Sequence, residues 1–160
     1  MELDDLASML RALDGVRQDP HYHPEGDALT HTLQVFDHAR RHTEDPVLIA
    51  AALLHDVGKA IAGRDHDREG ASLLDGLVHP RIVYLVEHHL ELLRAPGVAR
   101  KRLRGSPELR DLELLRRYDV GGRVPGASAP SLREALAFLE DASHDIAPPE
   151  GAESDDTRTH

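Results

Sequence analysis

Asp45-Pro46-Val47-Leu48-Ile49-Ala50-Ala51-Ala52-Leu53-Leu54-His55-Asp56-Val57-Gly58-Lys59 is the stretch on which the fold turns. Aspartate followed by proline starts a helix: the carboxylate caps free N–H groups, and proline at the first turn has no N–H to waste. Val47 to Leu54 contains no polar residue, so this helix has no face to offer water and runs through the centre of the protein. Gly58 supplies the stop. An imidazole and a carboxylate, His55 and Asp56, therefore arrive at the edge of a core. An ionised carboxylate there costs on the order of several kcal/mol unless something positive compensates it. A divalent cation would do so. An ordinary helix terminus, with His55 near the negative end and Asp56 exposed, is the alternative that these residues leave open.

Working outward, Leu3, Leu6, Leu10 and Leu13 recur at helical spacing and stop at Gly15. A loop from Asp19 to Asp27 leads into a second helix with the stripe Leu29, Leu33 and Phe36. Beyond the central helix, Asp65 to Leu77 reads as a short helix. Pro80 starts another that runs through Val83, Val86, Leu90 and Leu93 to about Arg94, where Pro96 and Gly97 break it. Ser106 and Pro107 open a helix carrying Leu109, Leu112 and Leu115, closed by Gly121 and Gly122. The last helix has a capping box, Ser131 with Glu134, and the stripe Leu132, Leu136 and Leu139. No segment reads as a strand. The expected fold is all-α, a single bundle of about six to eight helices over residues 1–145, followed by a disordered acidic tail over 146–160.

Composition narrows the chemistry. There is no cysteine, which removes disulfides, thiolate metal sites and cysteine nucleophiles, and fits a reducing cytoplasm. No basic leader and no long apolar run point to a membrane, so a soluble, cytoplasmic protein is expected. A net charge of -10 argues against extended DNA binding. Twelve histidines raise the prospect of a metal site.

His-Asp occurs three times, at His55-Asp56, His66-Asp67 and His144-Asp145, but only the first ends an apolar helix. His31, near the start of the second helix, could be brought beside it by a helical hairpin. Asp119 falls on the same helix face as Leu112 and Leu115, at the end of an apolar stripe; an unpaired charge does not belong there, although Arg116, Arg117 or Arg123 could satisfy it. Two imidazoles and two carboxylates leave positions open for water and substrate, and mixed nitrogen and oxygen ligation suits Mn, Fe, Co, Ni or Zn better than Ca. His38 and His42 are expected in solvent, His21 and His23 at most edge the pocket, and Arg94, Arg100, Lys101, Arg102 and Arg104 read as a solvated charge run rather than a phosphate track.

In order and rough spacing, His31, the run from Leu54 to Lys59 and Asp119 resemble the signature of the HD-domain phosphohydrolase superfamily. Within it the chain most resembles the HD domain attached to bacterial tRNA nucleotidyltransferases, the CCA-adding enzymes. Matching stretches are His23-Pro24-Glu25-Gly26-Asp27 with Thr30-His31-Thr32-Leu33, His66 with Gly70-Ala71, Val86-Glu87-His88-His89-Leu90, and Asp119-Val120-Gly121-Gly122-Arg123, over about residues 20 to 125.

The resemblance implies a divalent transition metal held by His31, His55, Asp56 and Asp119, with His55, Asp56 and Lys59 as the catalytic set. It implies hydrolysis of phosphomonoesters or of 2',3'-cyclic phosphates of nucleotides or RNA ends. A second ion would draw on His66 and one of His88 and His89, with Asp56 bridging; His88 is the expected ligand, leaving His89, Lys59 and Arg123 to contact substrate phosphate. The resemblance does not extend to a nucleotidyltransferase head, so CCA addition is not carried over. Tyr118 stands where that family usually has a small residue, which bears on the pocket's shape. The superfamily also contains free (deoxy)nucleotide and alarmone hydrolases, and degenerate binding modules marked by a lost ligand; none of the ligands is lost here.

Overall fold

The apolar helix forms as its sequence requires. In a computed structural model describing residues 2–150, α3 (Pro46–Leu54) is capped by the Asp45 carboxylate, which accepts from the Val47 N–H, and every residue from Val47 to Leu54 is buried. Around it lie α1 (Leu3–Arg11), α2 (Ala28–His42), α4 (His66–Leu74), α5 (Pro80–His88), α6 (Glu91–Arg94), α7 (Pro96–Arg102), α8 (Pro107–Gly121), α9 (Leu132–Asp141) and α10 (Ser143–Ile146), with a 3-10 turn at Val57–Ala60. Among the described residues there is no strand, and eight helices have seven residues or more. The all-α expectation holds. No helix among them is long and apolar enough to cross a membrane.

α3 packs against α2, α5, α8 and α10, so four helices share one apolar axis. Side-chain caps fix where they begin: Asp27 accepts from Thr30, Ser106 from Leu109 and Ser131 from Glu134. Arg81 at the start of α5 donates to both carboxylate oxygens of Asp111 on α8, at 2.7 and 2.9 Å, and to Asp45 at 2.8 Å. One guanidinium thus ties the starts of α3 and α5 to α8. Gly58 permits the closest crossing: a Cβ there would lie 2.0 Å from the His66 carbonyl oxygen. Only glycine lets the 3-10 turn rest on α4.

Three boundaries differ from the sequence reading. α4 ends at Leu74 rather than Leu77, and the helix expected to continue from Pro80 to Arg94 stops at His88 and resumes as α6. Pro96 does more than break a helix, because it opens α7. Ile146, placed at the head of the tail, is fully buried, and its carbonyl accepts from the His79 N–H at 2.7 Å. Residues 151–160 of the expected tail lie outside the described residues.

Candidate metal centre

α3 ends where α2, α4, α5 and α8 come together. His55 is the C-cap of α3 and Asp56 follows it into the 3-10 turn. His31 comes from the first half of α2, His66 opens α4, His89 caps α5 and Asp119 lies near the end of α8. All six are buried. His31, His55, Asp56 and Asp119 bring one ligand atom each within 4.8 Å of one another, and Asp56, His66 and His89 do the same.

The carboxylate oxygens occupy the middle. His31 Nε2 lies 2.7 Å from Asp119 Oδ1 and 3.5 Å from Asp56 Oδ2. His55 Nε2 lies 3.2 Å from Asp56 Oδ2 and 3.4 Å from Asp119 Oδ1. On the other side, Asp56 Oδ1 faces His66 Nε2 at 3.2 Å and His89 Nε2 at 3.5 Å. Asp56 therefore stands between two pairs of imidazoles, one oxygen toward each.

Three of these rings are held from behind by a hydrogen bond, and the fourth lies against a carboxylate. His55 Nδ1 donates to the Ala52 carbonyl at 2.7 Å, His66 Nδ1 to Gly63 at 2.7 Å and His89 Nδ1 to Val86 at 2.6 Å. His31 Nδ1 meets the buried Glu25 carboxylate at 2.6 Å. With the proton of His55, His66 and His89 committed at Nδ1, their Nε2 atoms point lone pairs at carboxylate lone pairs unless a proton or a cation stands between. The Nε2 atoms of His55, His66 and His89 are buried and aligned in no hydrogen bond. Bare donors converging on anionic oxygens, at these separations, fit a divalent ion coordinated by nitrogen and oxygen.

Charge follows the same geometry. Burial would depress the His55 imidazolium, but the Asp56 charge and contacts with both carboxylates raise it to about 10. Burial would raise Asp56, yet His55, Lys59 and His66 hold it well below the ordinary carboxylate range. Asp119 is likewise held well below that range, against its burial, by His31 and His55. His89 titrates below its ordinary value because burial outweighs its contact with Asp56.

The site opens into a cleft of about 530 Å³ with Asp56, His66, His89 and Asp119 on its floor. Lys59, one helical turn beyond Asp56, reaches back to 3.1 Å from Asp56 Oδ2 and donates to Gln18 at 2.5 Å. Arg123 donates to Asp119 Oδ2 at 3.1 Å, with Arg116 at 3.5 Å, while Oδ1 faces the histidines. Asp119 thus has both the arginine and the histidine partners weighed for it from the sequence. Tyr22, Leu90 and Leu93 form an apolar wall.

His88 is not in the site; His89 is. His88 stacks beside Tyr84 at 4.3 Å and contacts Glu91 at 2.5 Å on the outer face. The spacing that decides this is Ile82, Leu85, Val86, His89: His89 continues the buried stripe of α5, and His88 continues the outer one. Tyr118 is buried against α2 near His38, with ring centroids 6.1 Å apart, and does not line the cleft. The sequence reading assigned no role to Glu25 or Gln18 and left His23 at the edge. His23 lines the cleft and contacts Glu25 at 3.1 Å. Both sit in an irregular loop where periodicity gives no signal.

Fold and site together define the class. Residues 28–123 match the HD domain family, and the chain belongs to it, within a superfamily of metal-dependent phosphohydrolases. Among curated proteins it is similar to the Multifunctional CCA protein of Methylococcus capsulatus, 44% identical over 75 residues, covering 42% of this chain and 18% of that protein. It is similar also to the Multifunctional CCA protein of Halorhodospira halophila, 54% identical over 50 residues, covering 31% of this chain and 12% of that protein. The protein of the same name from Pseudomonas paraeruginosa is 32% identical over 128 residues, which cover 74% of this chain and 31% of the relative. The chain spans less than a third of the length of each.

Proposed function

We propose that the chain is a phosphoester hydrolase, dependent on one or two divalent transition metal ions (Mn, Fe, Co, Ni or Zn), that cleaves phosphomonoesters or 2',3'-cyclic phosphates of nucleotides or RNA ends. The observation that carries this reading is the convergence of four buried Nε2 atoms on Asp56 and Asp119, three of them on rings held from behind through Nδ1. His31, His55, Asp56 and Asp119 would hold one ion; Asp56, His66 and His89 would hold a second. Such an ion, when bound, supplies an acidified water and offsets charge on a phosphoryl oxygen.

The chain's own residues account for the remainder. Lys59 and Arg123 line the cleft beside the carboxylates and contribute positive charge to the phosphoryl oxygens as they gain charge. Asp119, gripped by Arg123, is kept from turning away from the histidines. Tyr22, Leu90 and Leu93 give the cleft an apolar side that suits the non-phosphate part of a nucleotide. The likeness to proteins named for CCA supports a nucleic-acid end over a generic phosphoester.

Elemental analysis of the purified protein, with hydrolysis of p-nitrophenyl phosphate, its bis ester and 2',3'-cyclic AMP in Mn, Co and Ni, tests the proposal. Stoichiometric metal with turnover of a phosphomonoester or of the cyclic phosphate is expected. No metal and no turnover would replace it with a non-catalytic binding module, and a free deoxynucleotide cleaved faster than any of these would move it to a nucleotide hydrolase.

A further inference from the structure

Charge is unevenly spread along this chain. Residues 94–117 carry eight basic side chains against three acidic ones, a net of +5 within a total of -10. The fold sorts them. Arg94, Arg100 and Arg102 pair with Asp67, Glu113 and Glu91, so the run is not a uniform basic strip. Arg116 is different, because it lines the metal cleft and also a second, shallower groove formed with Arg100, Arg117, Leu92, Glu113 and Val120. Both grooves therefore share a wall. Glu113, Arg116, Arg117 and Val120 fall at helical spacing on the outer side of α8, with α7 bringing Arg100 alongside.

We infer that this second groove receives the phosphodiester backbone of a single-stranded RNA whose 3'-terminal phosphate lies in the metal cleft. The inference rests on the phosphohydrolase reading above and adds the part of the substrate beyond its reacting end. A mononucleotide has one phosphate group and is served by Lys59 and Arg123. Arg116, Arg117 and Arg100, leading away from the cleft, match an anion that continues. Among the described residues Arg117 pairs with no carboxylate, and the Arg100 to Glu113 contact is long, at 3.4 Å, and exposed, so it yields readily to a phosphate. Val120 is 49% exposed between these arginines and offers an apolar surface for a ribose or base.

The test compares kcat/KM for a ten-nucleotide RNA ending in a 2',3'-cyclic phosphate with that for 2',3'-cyclic AMP, across a salt series. The RNA should be favoured by about tenfold at low salt, and its log–log salt slope should be steeper by about 1.4, at roughly 0.7 per extra phosphate contact for two contacts. The double variant Arg100→Gln with Arg117→Gln should lose that advantage and that slope while turning over 2',3'-cyclic AMP as before. Equal rates for both substrates in the wild-type protein, or equal losses on both in the variant, would overturn the inference. If the wild-type protein cleaves neither of these and no phosphomonoester either, the phosphohydrolase reading fails on its own. The groove is then judged by fluorescence anisotropy of a 5'-fluorescein-labelled RNA decamer in EDTA: salt-sensitive binding lost in the double variant sustains it, and binding that is absent or unchanged sinks it.

Discussion

Glu25 Oε1 stands 2.6 Å from His31 Nδ1, and both side chains are fully shielded from solvent. A buried carboxylate behind a histidine fixes which ring nitrogen carries the proton and keeps the other free for coordination. Replacing Glu25 by Gln should weaken Mn or Co binding by about 10- to 100-fold, read by calorimetric titration, while circular dichroism stays that of the parent. Unchanged affinity would show that His31 needs no such support.

Asp56 lies between two pairs of imidazoles and offers one carboxylate oxygen to each half of the centre. Asp56→Ala should abolish metal binding and hydrolysis and leave the helical content largely intact, because the side chain lies at the end of α3 rather than within its packed length. Full activity in that variant would disprove the site.

His55 gives the centre a pH dependence. An ion needs the Nε2 lone pair that a proton holds in the metal-free protein up to about pH 10, so binding expels that proton. Apparent affinity should rise about tenfold per pH unit between pH 7 and 9, with about one proton released per ion in titrations across buffers of different ionisation enthalpy. For the metal-free fold the sign is opposite: a raised imidazole pKa stabilises fully below about pH 6.5 and is lost as pH rises toward 10.

Asp27 ties the loop to α2, accepting from Thr30 at 2.9 Å and Gly15 at 2.6 Å. Burial pushes its carboxyl up, but those N–H groups hold it below its ordinary value. Asp27→Ala should cost about 1 kcal/mol in urea denaturation at pH 7. Since the folded carboxyl is the stronger acid, its contribution is present above about pH 4 and fades as pH falls through the folded value. Parent and variant should converge in acid; an equal gap at pH 7 and pH 2.5 would contradict the assignment.

At Gly58 an added methyl meets the His66 backbone rather than a movable side chain. Gly58→Ala should destabilise the protein by about 1–3 kcal/mol and weaken the second ion more than the first, since His66 is displaced and His31 is not. Thermal melts with and without metal would separate these effects.

Much of the framework was legible because it depends on local chemistry: Asp45 and Pro46 start α3, eight apolar residues bury it, and Ser131 caps α9. The dyad at His55 and Asp56 was legible for the same reason. His89 faces the carboxylates in place of the expected His88 because adjacent helical residues differ only in direction, and the direction is set by Ile82, Leu85 and Val86 rather than by the histidines. Glu25 was legible only as part of the stretch from His23 to Asp27 that carries the resemblance, and Gln18 not at all, since a loop residue acquires its partner only when distant helices close over it. Arg116 and Arg117 were legible as charges, but their groove depends on where α7 lies against α8.

His31 and Asp119 meet across 88 positions of chain, and the centre draws its other members from three more elements between them. A ribosome must therefore deliver α8 before the two halves of the first ligand set can meet. Capture of an ion by that first set would follow its closure, and a metal-sensitive probe of it would report the tertiary structure rather than the formation of its helices.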